Sequence, residues 1–191
     1  MEIDFTETTE NIITALFKDI ERATVDHKHP FRFCYLATTE VDNVPAQRTI
    51  ILRSILPSKE MLIFTDYRTP KVQEIKQQPQ VSLLFYHPRQ KLQIRFKAIA
   101  TIHHQDALCL QEWSKLSDHG KKDYQTTLPP GSDLPQKRLE EIHNTEIGSN
   151  FFSIISLQPI SIDALQLSRS GHQRMIGQME NGEWTGSRVM P

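Results

Sequence analysis

The chain has 191 residues, of which 38% are hydrophobic and 24% charged, as expected for a globular domain with a substantial core. Its formal net charge of −1 argues against nucleic-acid binding, and no apolar run approaches the roughly 20 residues needed to span a membrane. The two cysteines, Cys34 and Cys109, lie far apart, which argues against a disulfide scaffold and a zinc ribbon and favours a reducing compartment. The first residues lack the pattern of a secretion signal, so we expect a cytoplasmic protein.

The N-terminal part of the chain predicts one amphipathic helix followed by a hairpin. Apolar residues recur at helical spacing between residues 8 and 24, and Thr8 or Thr9 is a suitable N-cap. Aromatic and β-branched residues then predict two antiparallel strands, 31–38 and 44–55, joined by a short turn.

The middle of the chain predicts further strands around a short helix. A strand is expected at 61–65, a helix from Pro70 to residue 78, and strands at 81–86 and 91–102. The last strand has the clearest pattern, because its apolar residues alternate with polar ones and predict one buried face. The other face is entirely cationic or amide-bearing, with Lys91, Gln93, Arg95 and Lys97.

The C-terminal half predicts helices at 106–116 and 136–143, with a Pro- and Gly-containing surface excursion at 117–135 between them. Four strands are expected at 151–157, 160–167, 172–179 and 184–190. Asn181-Gly182, between the last two, is typical of a tight hairpin turn. Short strands with inserted helices favour a β-barrel over a βαβ sheet, and we expect residues 1–191 to form a single domain.

Positive charge is concentrated on the central strands. Between positions 48 and 97 there are ten Lys/Arg and three Asp/Glu, although the whole chain is nearly neutral. Guanidinium and hydroxyl groups together suit a phosphate. The candidate donors are Arg48, Thr49, Arg53, Thr65, Thr69, Lys71, Gln93 and Arg95, with His172 and Arg174 on a C-terminal strand.

Motifs for several other chemistries are absent from the sequence. There is no glycine-rich phosphate loop, no GxSxG elbow and no HExxH motif. His103 and His104 are adjacent on a strand and point to opposite faces, so we expect no metal site there. Donors without an evident acid–base pair favour an organic cofactor that performs the chemistry while the protein positions it.

Five segments in the central part of the chain have a recognisable order and spacing. They are Arg48-Thr-Ile-Ile-Leu-Arg53, Ile63-Phe-Thr-Asp66, Thr69-Pro-Lys71, Val81-Ser-Leu-Leu-Phe-Tyr86 and Leu92-Gln-Ile-Arg-Phe96. Together with His172-Gln-Arg174 and the C-terminal Trp184-Thr-Gly-Ser-Arg-Val-Met-Pro191, they resemble the FMN-binding split barrels related to pyridoxamine 5′-phosphate oxidase. The resemblance runs from about residue 30 to Pro191.

This resemblance implies a mainly β fold: a six-stranded antiparallel split β-barrel of Greek-key topology with peripheral α-helices. It also implies a homodimer with FMN between the subunits. The implied cofactor-binding residues are Arg48, Thr49, Ile50, Ile51, Leu52, Arg53, Phe64, Thr65, Thr69, Lys71, Gln93 and Arg174. Of these, Arg48 and Lys71 would face the phosphate and Gln93 would come from the partner subunit, while Arg53 and His172 are candidates for substrate contact.

The chain also departs from the family pattern. Pro70 replaces the first member of an Arg–Lys pair, with Arg68 as a candidate substitute, and the Tyr, Arg and Ser residues that bind the substrate phosphate have no counterpart between 108 and 119. The leading hypothesis is an FMN-dependent oxidoreductase that acts on an unidentified small molecule. The alternative is a non-catalytic barrel that binds flavin or haem, the latter through His172 or His103. Nucleic-acid binding through the basic strands is disfavoured, because few aromatic residues accompany the cations.

Overall fold

Nine antiparallel strands in one sheet form the frame of the protein in the computed structural model, which describes residues 3–133 and 143–191. The strands are β1 (Phe33–Thr39), β2 (Pro45–Ile51), β3 (Ser54–Ile55), β4 (Met61–Asp66), β5 (Gln80–His87), β6 (Leu92–His104), β7 (Phe152–Gln166), β8 (Gln173–Glu180) and β9 (Glu183–Val189). The helices are α1 (Thr9–Val25), α2 (Pro70–Gln77), α3 (Ala107–Lys115) and α4 (Asp118–Lys122). The predicted mainly β, antiparallel fold is confirmed, but the described residues form nine strands, where the resemblance implied six.

The order of the strands shows why the sheet closes into a barrel. Seven strands run β2-β1-β5-β6-β7-β4-β3, so β2 and β3 lie at opposite edges. Only Leu52 and Arg53 separate these two strands in the chain, a connection that spans at most about 11 Å. The sheet must therefore curl until its edges approach each other. The crossing is fixed by backbone hydrogen bonds from Leu52 to Arg32 (3.0 Å) and from Arg53 to Leu62 (2.9 Å).

Strand β7 divides the barrel, because its two halves have different neighbours. It pairs with β6 along its length, while its first half pairs with β4 and its second half with β8. The register with β6 shifts beside Pro159, which has no N–H to donate. The strands predicted at 151–157 and 160–167 are thus a single strand. The predicted turn between β8 and β9 is confirmed, with positive φ values at Asn181 (52°) and Gly182 (87°).

The main core lies inside the barrel and under α1. The predicted inner residues of β6, among them Ile94 and Phe96, are fully buried, and Phe96 packs on Phe17 of α1 at a ring-centroid distance of 5.5 Å. Thr8 caps α1 by accepting a hydrogen bond from the backbone N–H of Asn11. The helix therefore begins where the sequence predicted and covers the barrel with its apolar stripe.

A second apolar cluster forms under α3 and changes the interpretation of residues 117–135. Tyr124 is 6% exposed and packs on Phe152 at 5.0 Å, with Trp113 beside it. The segment is therefore not purely a surface excursion, because this aromatic ring anchors it to β7. The helix predicted at 136–143 falls largely outside the described residues. Among the helices in the described ranges, none is long and apolar enough to cross a membrane.

Candidate functional site

A cleft of about 390 Å³ lies between β2 and β4, where the two edges of the curled sheet approach each other. Because β2 hydrogen-bonds only to β1, the free backbone edge of β2 is available to this cleft. The cleft brings together eight of the predicted cofactor-binding residues: Arg48, Thr49, Ile50, Ile51, Arg53, Phe64, Thr65 and Lys71. A larger depression of about 760 Å³, near the N-terminal segment and the loop before β8, contains none of them.

One end of the cleft combines hydroxyl groups with a partly buried ammonium group. Lys71 donates a hydrogen bond to the hydroxyl of Thr65 (3.0 Å), which lies 3.3 Å from the hydroxyl of Thr69. Burial lowers the pKa of Lys71, and the nearby Arg48 lowers it further, whereas Glu74 and Asp66 act in the opposite direction. Burial is the largest of these effects, so the ammonium group of Lys71 is partly desolvated at this end of the cleft.

Arg48 is held at the same end by a carboxylate that the sequence pattern did not reveal. Its guanidinium donates to Glu74 of α2 (2.8 Å), to the hydroxyl of Thr38, and to the carbonyl of Ala46 (3.3 Å). Glu74 is 7% exposed, so this is a largely buried ion pair. Sequence spacing offered one clue, since residues three apart on a helix lie on the same side and Glu74 follows Lys71 by three.

Arg68 does not replace the cation that is missing at Pro70. Its guanidinium donates to both carboxylate oxygens of Asp66 (3.0 and 2.7 Å) and to the carbonyl of Thr126 (3.0 Å). It also lies 3.5 Å from the centroid of the Phe151 ring. Arg68 therefore fastens a loop to the barrel and does not line the cleft.

The opposite end of the cleft carries a second guanidinium. Arg53 lies five positions after Arg48, about 16 Å of extended chain. Arg53 lies 5.5 Å from the ring centroid of Phe64 and beside the phenol of Tyr124. Burial raises the pKa of Tyr124, and the positive charge of Arg53 opposes this rise. Among the described residues, Arg53 has no carboxylate within ion-pair distance, in contrast to Arg48, Arg68 and Arg174.

The other predicted residues lie outside the cleft of the same chain. The side chain of Leu52 is buried in the core. Thr69 is also buried, and its hydroxyl contacts the hydroxyl of Thr65. Gln93 and Arg174 are found on the outer face of the sheet, on opposite sides of Leu165 of β7. His172 is exposed in the loop before β8, where its Nδ1 accepts a hydrogen bond from the backbone N–H of Ser168 (3.2 Å).

The guanidinium of Arg174 is already paired on this outer face. It donates to Asp163 from Nε (3.0 Å) and Nη2 (2.8 Å), and Arg95 donates to the same carboxylate. Burial tends to raise the pKa of Asp163, but the hydrogen bonds and charges of both arginines hold it below its usual value. The cationic face predicted for β6 is thus partly neutralised by its neighbour β7.

The outer face also carries large apolar side chains that the described residues leave exposed. Phe33 is 54% exposed, Tyr35 47%, Tyr86 44% and Ile176 36%. The strand register places all four on the same side of the sheet as Gln93 and Arg174. An apolar surface of this kind is typical of a protein–protein interface.

The histidines offer no metal centre within the described ranges. There, no group of three or more His, Cys, Asp or Glu side chains is arranged to hold a metal ion. Both ring nitrogens of His103 are engaged, Nδ1 with Asp106 (2.7 Å) and Nε2 with Ser156 (3.2 Å). His103 could therefore ligate haem only by breaking one of these hydrogen bonds.

Comparison with known proteins connects this cleft to one family. The model of the pyridoxamine 5′-phosphate oxidase FMN-binding domain matches residues 11–104, which include the whole β2–β4 cleft. A pyridoxine/pyridoxamine 5′-phosphate oxidase from Leptospira biflexa is 32% identical, and the alignment covers 82% of this chain and 77% of that protein. One from Aliarcobacter butzleri is 26% identical, with coverages of 82% and 78%.

Solved structures show the same architecture. A pyridoxamine 5′-phosphate oxidase-related, FMN-binding protein from Nostoc punctiforme superposes with a TM-score of 0.77 at 21% identity, covering 97% of this chain and 99% of that one. PhzG from Burkholderia lata, solved with tetrahydrophenazine-1-carboxylic acid, superposes with a TM-score of 0.80 at 17% identity, covering 100% and 98%. At these identities the structural similarity concerns the fold alone, whereas the 32% sequence identity to the Leptospira protein establishes membership of the family. The chain therefore belongs to the pyridoxamine 5′-phosphate oxidase family of FMN-binding split-barrel proteins.

Proposed function

We propose that the protein binds FMN in the cleft between β2 and β4 and is an oxidoreductase for a small molecule. The observation that carries the proposal is the distribution of charge in this cleft, with Lys71 and Arg48 at one end and Arg53 at the other. FMN has a phosphate at one end and a planar ring at the other. The free edge of β2 between the cations offers backbone donors and acceptors to such a ring.

The phosphate end fits the chemistry of its proposed ligand. Lys71 and Thr65 supply an ammonium and a hydroxyl group 3.0 Å apart, and the hydroxyl of Thr69 lies 3.3 Å from that of Thr65. A phosphate would relieve the repulsion between Lys71 and Arg48 that helps to lower the pKa of Lys71. Each charge-assisted hydrogen bond of this kind contributes about 1.5–3 kcal/mol. Phosphate binding at this end therefore provides the main anchor of the cofactor.

The ring end fits a redox reaction with an anionic partner. Bound FMN supplies the two-electron chemistry, and the residues of this chain bind and orient the reactants. Arg53, placed over Phe64 and without a carboxylate partner in the described ranges, would attract an acidic group of the substrate. The carboxylic acid bound to PhzG is a ligand of this chemical class.

A homodimer would complete the site. Gln93 and Arg174 do not line the cleft of their own chain. Gln93 of β6 is separated from β2 by β1 and β5 and from β4 by β7, and Arg174 lies on β8, which pairs with β7. Both lie on the apolar outer face, so pairing of two such faces could bring them to the partner's cleft. This supports the proposed homodimer with FMN at the subunit interface, in which Arg174 and the nearby His172 approach the ring end.

The proposal is tested first on the purified protein. We expect a flavin absorbance spectrum, or binding of added FMN with about one equivalent per chain, and FMN should bind more tightly than riboflavin, which lacks the phosphate. Failure to bind FMN would overturn the proposal. Reoxidation of the reduced protein by candidate acids, beyond that caused by oxygen, would establish catalysis.

Binding without turnover is the second candidate, and one feature of the structure favours it. Residues 108–119, which lack the substrate-phosphate residues expected from the resemblance, contribute Trp113 to an apolar cluster with Tyr124 and Phe152. Absence of substrate-dependent reoxidation in the same assay, with FMN still bound, would support this alternative.

The interface is tested separately by charge insertion. Tyr86→Glu places a carboxylate on the apolar outer face and should convert the dimer to a monomer in analytical ultracentrifugation. Val25→Glu is a matched control, because Val25 is 77% exposed at the end of α1. A wild-type monomer, or an intact dimer in Tyr86→Glu, would contradict the proposed interface.

A further inference from the structure

The phosphate end of the cleft already contains an anion. Glu74 of α2 is 7% exposed, and its Oε2 accepts hydrogen bonds from Arg48 (2.8 Å) and from the hydroxyl of Thr38. Arg48 donates to that same hydroxyl. The three side chains therefore form a closed triangle of hydrogen bonds behind the cleft.

The charges at this end show what Glu74 contributes. Lys71 and Arg48 each carry one positive charge, while the nearby Asp66 is neutralised by Arg68. Glu74 is thus the acid that compensates these two cations. It pairs directly with Arg48 and also acts to raise the pKa of Lys71 against the effect of burial. Two cations held close together in a partly buried site would otherwise repel each other.

We propose that Glu74 is an internal counter-ion, which pairs with Arg48 in the ligand-free cleft as the phosphate of a bound ligand would. When FMN binds, Glu74 competes with this phosphate for Arg48. The inference rests on the proposed function and adds a positioning residue that sets the strength of cofactor binding. Glu74 stabilises the ligand-free cleft, because it compensates Arg48. It also reduces the attraction for phosphate, because Arg48 is shared between the two anions.

The substitution Glu74→Gln removes the negative charge of Glu74 and keeps the size and shape of the side chain. The amide oxygen can still accept from Arg48 and Thr38, but the negative charge is gone. The ligand-free protein should therefore melt at a lower temperature than the wild type, while FMN should bind about tenfold more tightly, the order expected when one nearby anion is removed. Riboflavin, which has no phosphate, should bind equally to both proteins.

A double-mutant cycle tests the competition for Arg48. Arg48→Ala should weaken FMN binding more in the Glu74→Gln background than in the wild type, because only there is Arg48 fully available to the phosphate. Affinities are measured by quenching of flavin fluorescence and stabilities by thermal melts with and without FMN. Glu21→Gln on the exposed side of α1 is the charge-matched control and should change neither quantity.

Several outcomes would overturn the inference. FMN binding that is unchanged or weaker in Glu74→Gln would show that Glu74 serves only the fold, and an equal gain for riboflavin would show that the phosphate is not the group involved. If the wild type binds no flavin, the proposed function fails, and the larger thermal shift expected for Glu74→Gln with inorganic phosphate still decides the role of Glu74. An equal phosphate-induced shift in both proteins would then refute it.

Discussion

Replacement of Lys71 by methionine should have opposite effects on the free protein and on FMN binding. Burial and Arg48 both lower the pKa of Lys71, so its charge is unfavourable in the empty cleft. Methionine has a similar length and no charge. We therefore expect the ligand-free Lys71→Met variant to be at least as stable as the wild type, although it loses the hydrogen bond to Thr65.

The loss on the ligand side can be worked out from the same contact. Removing one charge-assisted hydrogen bond to the phosphate costs about 1.5–3 kcal/mol, or roughly 12- to 160-fold in affinity. FMN at one hundred times the wild-type Kd stabilises the wild type by about 2.7 kcal/mol, but a variant with fortyfold weaker binding by only about 0.7 kcal/mol. At roughly 2–4 °C per kcal/mol for a chain of this size, the thermal shift falls from about 5–11 °C to about 1–3 °C.

The assay is a thermal melt at fixed FMN concentration, with fluorescence titration to obtain Kd. Lys18→Ala on the exposed side of α1 is the control, since it removes a lysine that is distant from the cleft. Riboflavin should stabilise the wild type and Lys71→Met equally. An undiminished FMN shift in Lys71→Met, or an equal loss for riboflavin, would refute the placement of the phosphate at this end.

The remaining predictions concern titration, packing and substrate contact. As pH rises through the lowered pKa of Lys71 toward the ordinary lysine value of 10.5, the ligand-free protein should gain stability and FMN affinity should fall, because the folded protein releases this proton before the unfolded chain does. Burial raises the pKa of Cys34 to about 12, so thiol titration should detect it only after denaturation. Gly177→Ala should lower the free energy of unfolding by about 1–3 kcal/mol in denaturant melts, because its added carbon would lie 2.9 Å from Ile162. In the FMN complex, benzoate should perturb the flavin spectrum more than neutral benzamide does, and Arg53→Gln should remove this difference; equal perturbation by both in the wild type would contradict an anion contact at Arg53.

The sequence predicted the strands well, because their patterns are local. The alternation of apolar and polar residues in β6 predicted that Leu92, Ile94 and Phe96 share the buried face, and all three are fully buried. Asn181-Gly182 predicted its hairpin through backbone conformation alone. In each case, residues close together in the sequence determine the local structure.

Features that depend on contacts between distant segments were harder to predict. The sequence predicted separate strands at 151–157 and 160–167, but β7 continues through Pro159, because its extra residue Ile160 is accommodated as a bulge against β6. Tyr124 stood in a polar, Pro- and Gly-containing context that predicted a surface segment, and its burial depends on Phe152, which lies 28 positions away in the sequence. Neither result follows from a window of a few residues, since the partner strand or ring determines the outcome.

The excess of positive charge between positions 48 and 97 overstated the number of cations available to a ligand, because carboxylates pair with some of these cations in the folded protein. Arg48 is paired with Glu74, and Arg95 with Asp163, which lies outside the cationic stretch of sequence. Once these pairs are removed, Lys71 and Arg53 are the cleft cations without a carboxylate bonded to them among the described residues. They stand at opposite ends, so one compact anion cannot satisfy both. Either one elongated ligand carries two anionic groups, or a phosphorylated cofactor and an acidic substrate share the cleft; we propose the second arrangement, because it leaves each anion a cation of its own.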